Sequence, residues 1–76
     1  MKYSIDHLAT FLYVNESGSF TKAADNMGLS KAIVSQRISA LETHLKTQLF
    51  TRTTRRLNIT DAGKDLYHNI RDSFTH

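Results

Sequence analysis

The chain has 76 residues, contains no cysteine or proline, and carries a formal net charge of +3. This length suits one small domain, and a chain without cysteine has neither disulfide bonds nor thiolate ligands for zinc. No apolar run reaches the roughly 18 residues of a membrane span, and the first residues lack the apolar segment of a signal peptide. These features predict a cytoplasmic protein without a membrane partner.

Positive charge is concentrated in the middle of the chain. The segment from Asn26 to Thr60 contains six cationic residues and one acidic residue, so its net charge is +5. The rest of the chain contains four cationic and six acidic residues, so its net charge is −2. The six cations are Lys31, Arg37, Lys46, Arg52, Arg55 and Arg56. A basic segment predicts a polyanionic partner, although a solvated charged surface explains it equally well from charge alone.

Apolar residues at helical spacing predict a first helix over residues 5–16. Ser4 is its expected N-cap, and Gly18 follows its end, where a left-handed residue is easily accommodated. The expected buried face consists of Ile5, Leu8, Phe11, Leu12 and Asn15.

Two further helices are joined by only three residues. Residues 20–27 follow Ser19 as N-cap and end at Gly28, and residues 31–45 follow Ser30 as N-cap. The apolar side of the third helix comprises Val34, Ile38, Leu41 and Leu45. A three-residue turn holds two helices at a steep angle, which predicts a helix-turn-helix over residues 19–38.

Extended structure and a fourth helix are predicted next. Leu49-Phe50 and Leu57–Ile59 flank a segment rich in threonine and arginine, which indicates a β-hairpin with a basic tip within residues 46–59. Thr60 is the expected cap of a helix whose apolar stripe comprises Ala62, Leu66, Ile70 and Phe74. The fold class is mostly α with a small β-hairpin: a winged helix-turn-helix in residues 1–59, followed by a long linker helix from residue 60 to residue 76.

The polar side of the third helix carries side chains suited to base edges and phosphates. Glutamine pairs with adenine, lysine or arginine with guanine, and a small alanine meets a thymine methyl group. The candidate groove residues are Lys31, Ala32, Ser35, Gln36 and Arg37, with Ser30 either reaching DNA or serving only as a cap. Taken alone, this side could also be an ordinary solvated surface.

Two neighbouring segments are expected to support DNA binding. Ser19 and Thr21 lie at the start of the second helix, where free N–H groups suit a phosphate, although capping by Ser19 is an equally good reading. Arginines at a hairpin tip suit a narrow minor groove, and threonines suit phosphates. The candidate wing residues are Arg52, Thr54, Arg55 and Arg56, against the alternative of a charged, soluble hairpin.

Several of these segments together resemble the DNA-binding domain of LysR-type transcriptional regulators. The resemblance rests on the run Gly18-Ser19-Phe20-Thr21-Lys22-Ala23-Ala24, on Gln48-Leu49-Phe50 with Arg52, and on Leu57-Asn58-Ile59-Thr60-Asp61-Ala62-Gly63. It implies DNA contacts at Lys31, Ala32, Ser35 and Gln36, and wing contacts at Arg52, Arg55 and Arg56. The family often has Gln-Pro where this chain has Lys31-Ala32, so its base preference is not carried over.

The fourth helix has a predicted role in assembly. Its apolar residues either close the core or extend past it, and apolar surface beyond a domain implies a partner. The candidate dimerisation residues are Leu66, Tyr67, Ile70 and Phe74. The resemblance implies a homodimer or tetramer on a pseudo-palindromic operator, and a C-terminal domain outside this chain that binds a small-molecule effector.

Catalysis, cofactors and metal binding are not predicted. His7, His44, His68 and His76 form no close ligand pair, and the sequence offers neither a nucleophile–base pair nor a glycine-rich phosphate loop. A different function remains open, because a winged helix can serve as a protein-interaction adaptor. An adaptor would present exposed apolar anchors on the outward side of the third helix.

Overall fold

The computed structural model describes residues 5–52 and 57–74, with side chains in the last helix described up to Asp72. In these residues the elements are α1 (Ile5–Ser17), α2 (Phe20–Met27), α3 (Lys31–Leu45), β1 (Phe50–Arg52), β2 (Leu57–Ile59) and α4 (Asp61–Phe74). The predicted fold class, mostly helical with a small hairpin, is confirmed. The expected cap at Ser4 lies outside the described residues.

The turn between α2 and α3 is built by the caps that the sequence predicts. The Ser19 hydroxyl accepts a hydrogen bond from the Lys22 N–H at 3.2 Å, and the Ser30 hydroxyl accepts one from the Ile33 N–H at 3.2 Å. Gly28 ends α2 at φ 69°, in the left-handed region where glycine carries no steric penalty. Hydrogen bonds thus satisfy the backbone where the chain reverses, and they fix the direction of α3.

The core lies where α1, α2 and α3 meet. Its fully buried side chains include Phe11, Val14, Ala23 and Leu49, and the small Ala23 allows close approach of the helices. The expected face of α1 is partly wrong, because Ile5 is 63% exposed. Val14 and Thr10 are fully buried in its place, so the inward face of α1 is rotated toward them.

Hydrogen bonds to the side chain of a glutamate join the end of α3 to the start of the hairpin. Lys46 adopts φ 57° and closes the helix, with the Thr47 N–H donating to the Glu42 carbonyl at 3.1 Å. The Glu42 carboxylate accepts hydrogen bonds from the backbone N–H groups of Leu49 at 2.8 Å and Phe50 at 3.2 Å. The single acid of the basic segment therefore sets where β1 begins.

We expect Glu42→Gln to lower the free energy of unfolding by about 1 kcal/mol, because a neutral amide oxygen accepts more weakly than a carboxylate. Urea denaturation at neutral pH measures the change. Glu16→Gln is the matched control, since Glu16 is exposed on α1 and loses the same charge. Equal losses in the two variants would show that charge, and not the two hydrogen bonds, is responsible.

The hairpin and α4 share a second junction. β1 and β2 pair antiparallel, with Phe50 opposite Ile59 and Arg52 opposite Leu57. The Thr60 hydroxyl accepts from the Gly63 N–H at 3.0 Å and donates to the Gln48 carbonyl at 2.7 Å. The predicted cap of α4 is therefore confirmed, and it also ties the helix to the start of the hairpin.

α4 closes the core of its own chain. Ile70 is 6% exposed and belongs to the buried cluster, which corrects the expectation that its side chain extends past the core. Leu66 and Tyr67 are half-buried and pack against the same cluster. Within residues 5–52 and 57–74, none of the helices has the length and apolar character needed to cross a bilayer.

Candidate nucleic-acid interface

α3 buries one side and exposes the other. Val34, Ile38 and Leu41 are fully buried. The opposite side is formed by residues at steps of four, three and four, all of which are exposed: Ala32, Gln36, Ser39 and Thr43. We call these four residues the outward face of α3. A helix of this kind is anchored along its length while it presents a continuous surface to solvent.

The predicted groove residues at the start of α3 are accessible. Lys31, Ala32 and Gln36 are exposed, and Ser35 is half-buried at the edge of the outward face. Fifteen residues make α3 about 22 Å long, and an α-helix fits a major groove that is about 12 Å wide. The dimensions of α3 and the exposure of its first turns therefore fit a helix that enters a major groove.

Arg37 lies on another side of α3. Its Nη1 donates a hydrogen bond at 3.4 Å to the hydroxyl of Thr10, which is fully buried on α1 and itself donates to the Asp6 carbonyl at 2.7 Å. Arg37 thus lies to the side of the outward face and links α3 to α1 through one of its N–H groups. A DNA contact of Arg37 stays a prediction.

Two of the predicted DNA-contacting residues, Ser19 and Ser30, serve as helix caps. Ser19 and Ser30 each use their hydroxyl oxygen to accept a backbone N–H, so capping accounts for the presence of serine at both positions. Thr21 and Lys22 are exposed in the first turn of α2. A phosphate near this turn would meet a hydroxyl, an ammonium group and the positive end of the helix dipole.

The described part of the hairpin contributes one arginine. Arg52 is exposed at the end of β1, and its Cζ lies 4.4 Å from the centroid of the Phe20 ring. Thr51 precedes it and is also exposed. The other predicted wing residues, Thr54, Arg55 and Arg56, lie outside the described residues.

The predicted dimerisation residues do not form one exposed patch. Ile70 is buried, while Leu66 and Tyr67 are half-buried against the core. The Arg71 guanidinium lies 5.6 Å from the Tyr67 ring centroid. The side chain of Phe74 is among those not described. Among the predicted dimerisation residues with described side chains, Leu66 and Tyr67 keep part of their surface accessible to a partner.

Sequence reasoning missed the second half of the outward face. The predicted groove residues end at Arg37, although Ser39 and Thr43 follow Gln36 at helical spacing. The same spacing that located the buried stripe would have found them. In the described part of the chain, no three His, Asp or Glu side chains are grouped so that they could hold a metal ion.

A helix-turn-helix with a small hairpin wing and an exposed polar third helix defines the winged helix-turn-helix class. Residues 5–64 match the family model described as "Bacterial regulatory helix-turn-helix protein, lysR family". The match covers most of the chain, and the protein therefore belongs to this family.

Known relatives agree with this assignment. The chain is 42% identical to the uncharacterized HTH-type transcriptional regulator YcaN of Escherichia coli, over 97% of this chain and 24% of the relative. It is 47% identical to the HTH-type transcriptional regulator PtxR of Pseudomonas aeruginosa, over 84% of this chain and 20% of the relative. The chain thus spans about a quarter or less of the length of these relatives.

Solved structures share the fold. A LysR-family transcriptional regulator from Eggerthella lenta superposes with a TM-score of 0.82 at 32% identity, covering 86% of this chain and 93% of that one. The BenM DNA-binding domain, in its complex with benA site 1 DNA, superposes with a TM-score of 0.88 at 33% identity, covering 95% of this chain and 81% of that one.

Proposed function

We propose that this chain binds double-stranded DNA in a sequence-specific manner, as the DNA-binding domain of a bacterial transcriptional regulator. The proposal rests mainly on the exposed outward face of α3, which lies opposite a fully buried apolar stripe. Family membership and the likeness to a domain solved with DNA support the proposal. This function is binding without catalysis, and it is expected in the cytoplasm.

In the proposed complex α3 enters the major groove. Gln36 pairs with a base edge, Ala32 meets a thymine methyl group, and Lys31 and Ser35 contact guanine or phosphate. Ser39 and Thr43 extend the contact toward the far side of the groove, where hydroxyl groups suit phosphate oxygens. Base contacts then come from the first half of the outward face, and positioning contacts from the second half.

In the same complex the hairpin contacts DNA beside the major groove that α3 enters. We place Arg52, Thr54, Arg55 and Arg56 against the flanking minor groove and its phosphates, where the negative potential favours arginine. Thr21 at the start of α2 contacts phosphate on the other side of the major groove. These contacts fix the register of α3 and contribute most of the salt-dependent affinity.

The proposed assembly is a homodimer, or a tetramer built from dimers, on a pseudo-palindromic operator. Residues 1–59 form the DNA-binding unit, and residues 60–76 begin a linker helix that pairs with its counterpart through Leu66, Tyr67 and Phe74. Two α3 helices would then lie one helical turn of DNA apart, or a multiple of it. The effector-binding domain that we expect in the longer protein would carry the small-molecule response.

The exposed surface of α3 distinguishes this function from that of a protein-interaction adaptor. Among the described residues of α3, Ile33 is the large apolar side chain that is clearly exposed, at 38%. Hot spots of protein interfaces are enriched in tryptophan, tyrosine and arginine, none of which occurs on the outward face. The surface therefore suits base edges and phosphates better than an apolar pocket.

Selection from a library of random duplexes tests the proposal. We expect enrichment of one motif, present as two inverted copies if the chain dimerises, with non-specific binding weaker by a factor of about 10³ or more. Recovery of unenriched duplexes, or no retention of duplex at low salt, would contradict sequence-specific DNA binding.

We expect Arg55→Ala or Arg56→Ala to weaken binding to every duplex and to flatten the dependence of log affinity on log salt by about one unit per lost phosphate contact. If the arginine enters the minor groove, duplexes with A·T-rich flanks should lose the most affinity. Titration at several salt concentrations measures the slope. Lys64→Ala removes one positive charge from the exposed side of α4 and serves as the control; an identical slope change there would exclude a specific role of the wing.

A further inference from the structure

Three aromatic rings connect the core to the edge of the hairpin. The ring centroids of Phe11 and Phe50 lie 5.4 Å apart, and those of Phe50 and Phe20 lie 6.3 Å apart in an edge-to-face arrangement. Phe50 is 4% exposed, and Phe20, the first residue of α2, is 9% exposed. The Phe20 ring is therefore held by the core at the border between α2 and the hairpin.

The guanidinium of Arg52 lies over this ring. The 4.4 Å between its Cζ and the ring centroid is well inside the roughly 6 Å range of a cation–π contact. Arg52 is exposed, and within residues 5–52 and 57–74 no carboxylate lies within the 4.0 Å of an ion pair with it. Among the described residues, the partner of this arginine is therefore the Phe20 ring and not an acid.

We propose that Phe20 is a positioning residue for Arg52: its ring holds the guanidinium at the junction of α2 and β1, ready to bind a DNA phosphate. This inference rests on the proposed function and adds a residue to it. A free arginine side chain loses rotamer freedom when it binds a phosphate, whereas one that is held over a ring has lost part of it on folding. Phe20 thus raises DNA affinity without touching DNA.

The ring contact and a phosphate contact are compatible. A guanidinium is planar and carries its five N–H groups at its edge, where they match phosphate oxygens. An aromatic ring interacts with the positive charge through its face and accepts none of these N–H groups strongly. A carboxylate partner would compete with phosphate for the same N–H donors. An aromatic ring leaves these donors available, so it is better suited to position an arginine that binds an anion.

A double-mutant cycle on DNA affinity tests the coupling of the two residues. Phe20→Leu, Arg52→Ala and the double variant are titrated with one selected duplex at several salt concentrations. Arg52→Ala should weaken binding about 10-fold and flatten the salt slope by about one unit. Phe20→Leu should weaken binding about 2- to 5-fold when Arg52 is present, and leave the affinity of the Arg52→Ala chain unchanged.

A change in the electron density of the Phe20 ring distinguishes a role in positioning Arg52 from a role in core packing. Chemical synthesis of the 76-residue chain can place 3,5-difluorophenylalanine at position 20, which keeps the shape of the ring and weakens the negative potential of its face. We expect this variant to bind DNA more weakly than the parent chain, and the loss to disappear in the Arg52→Ala background. Phe20→Tyr keeps an electron-rich ring and should bind within about 2-fold of the parent.

Three outcomes would overturn the inference. Equal losses from the Phe20 changes with and without Arg52 would give Phe20 a packing role alone. Unchanged affinity of Arg52→Ala would remove Arg52 from the interface. A parent chain that binds no duplex would contradict the proposed function itself, and this inference with it, whereas the first two outcomes leave DNA binding intact.

Discussion

Gly63→Ala is expected to lower the free energy of unfolding by about 3 kcal/mol, at the upper end of the usual cost of overpacking. A Cβ at this position would lie 2.6 Å from Cγ1 of Ile59 and still closer to the Leu49 carbonyl oxygen. That oxygen is backbone and accepts the Thr60 N–H at 2.9 Å, so it cannot move away without breaking the junction of hairpin and α4. Thermal or urea unfolding measures the loss.

Gly18→Ala is the matched control. Gly18 has φ 71°, and a Cβ there would meet nothing within 4 Å, so its cost is limited to the strain of the left-handed conformation, about 1 kcal/mol. Alanine inside a helix normally stabilises by up to about 1 kcal/mol relative to glycine. A Gly63→Ala chain that is as stable as the parent, or more stable, would therefore contradict the close approach of α4 to the hairpin.

Gln36→Ala is expected to cost about 1–3 kcal/mol of binding free energy on the best site and to relax base preference at one position. The reason is the location of Gln36 on the exposed outward face, within reach of base edges when α3 lies in the groove. The fold should be unaffected, because the side chain is exposed. Competition between the selected duplex and a scrambled one measures the loss of discrimination.

Tyr13→Phe provides the control for that experiment. Tyr13 is 43% exposed on α1, and the substitution removes an exposed polar group outside the proposed interface. We expect its affinity and its discrimination to equal those of the parent chain. Unchanged discrimination in the Gln36→Ala chain would exclude this residue as a reader of bases.

The helices and their caps could be predicted from local chemistry. A hydroxyl at Ser19 or Ser30 and a glycine at position 28 act on neighbouring backbone atoms, so their effect is contained in a short sequence window. The apolar stripe of α3 depends only on helical periodicity, and three of its four residues are fully buried as expected. The hairpin is confirmed for the same reason, since threonine-rich segments favour extended structure.

Other features depend on contacts between distant segments. Lys46 in the left-handed region carries no sequence signal, because lysine rarely adopts it; the chain accepts the strain where α3 must stop. The Glu42 carboxylate binds backbone N–H groups, and any residue except proline would supply such donors. The close approach at Gly63 likewise requires knowing that the Leu49 carbonyl lies against α4.

In the candidate site, too, some features follow from local sequence and others depend on contacts between distant segments. The outward face could be derived by extending helical spacing from Gln36, whereas the direction of a long side chain could not. Arg37 is predicted as a groove residue from its residue type and its place in the first turns of α3, and its hydrogen bond to the buried Thr10 on α1 carries no signal in the sequence. Arg52 is predicted to contact DNA, whereas its position over the Phe20 ring depends on a contact between distant segments that the sequence does not indicate.

Backbone amide chemical shifts of the labelled chain, followed during titration with its selected duplex, test the placement of α3 in the major groove most directly. We predict the largest shift changes for α3 residues on the outward face, chiefly Ala32, Gln36 and Ser39, with smaller changes at Arg52 and near Thr21. Changes confined to α1 and α4, with the amides of α3 unmoved at saturation, would contradict it.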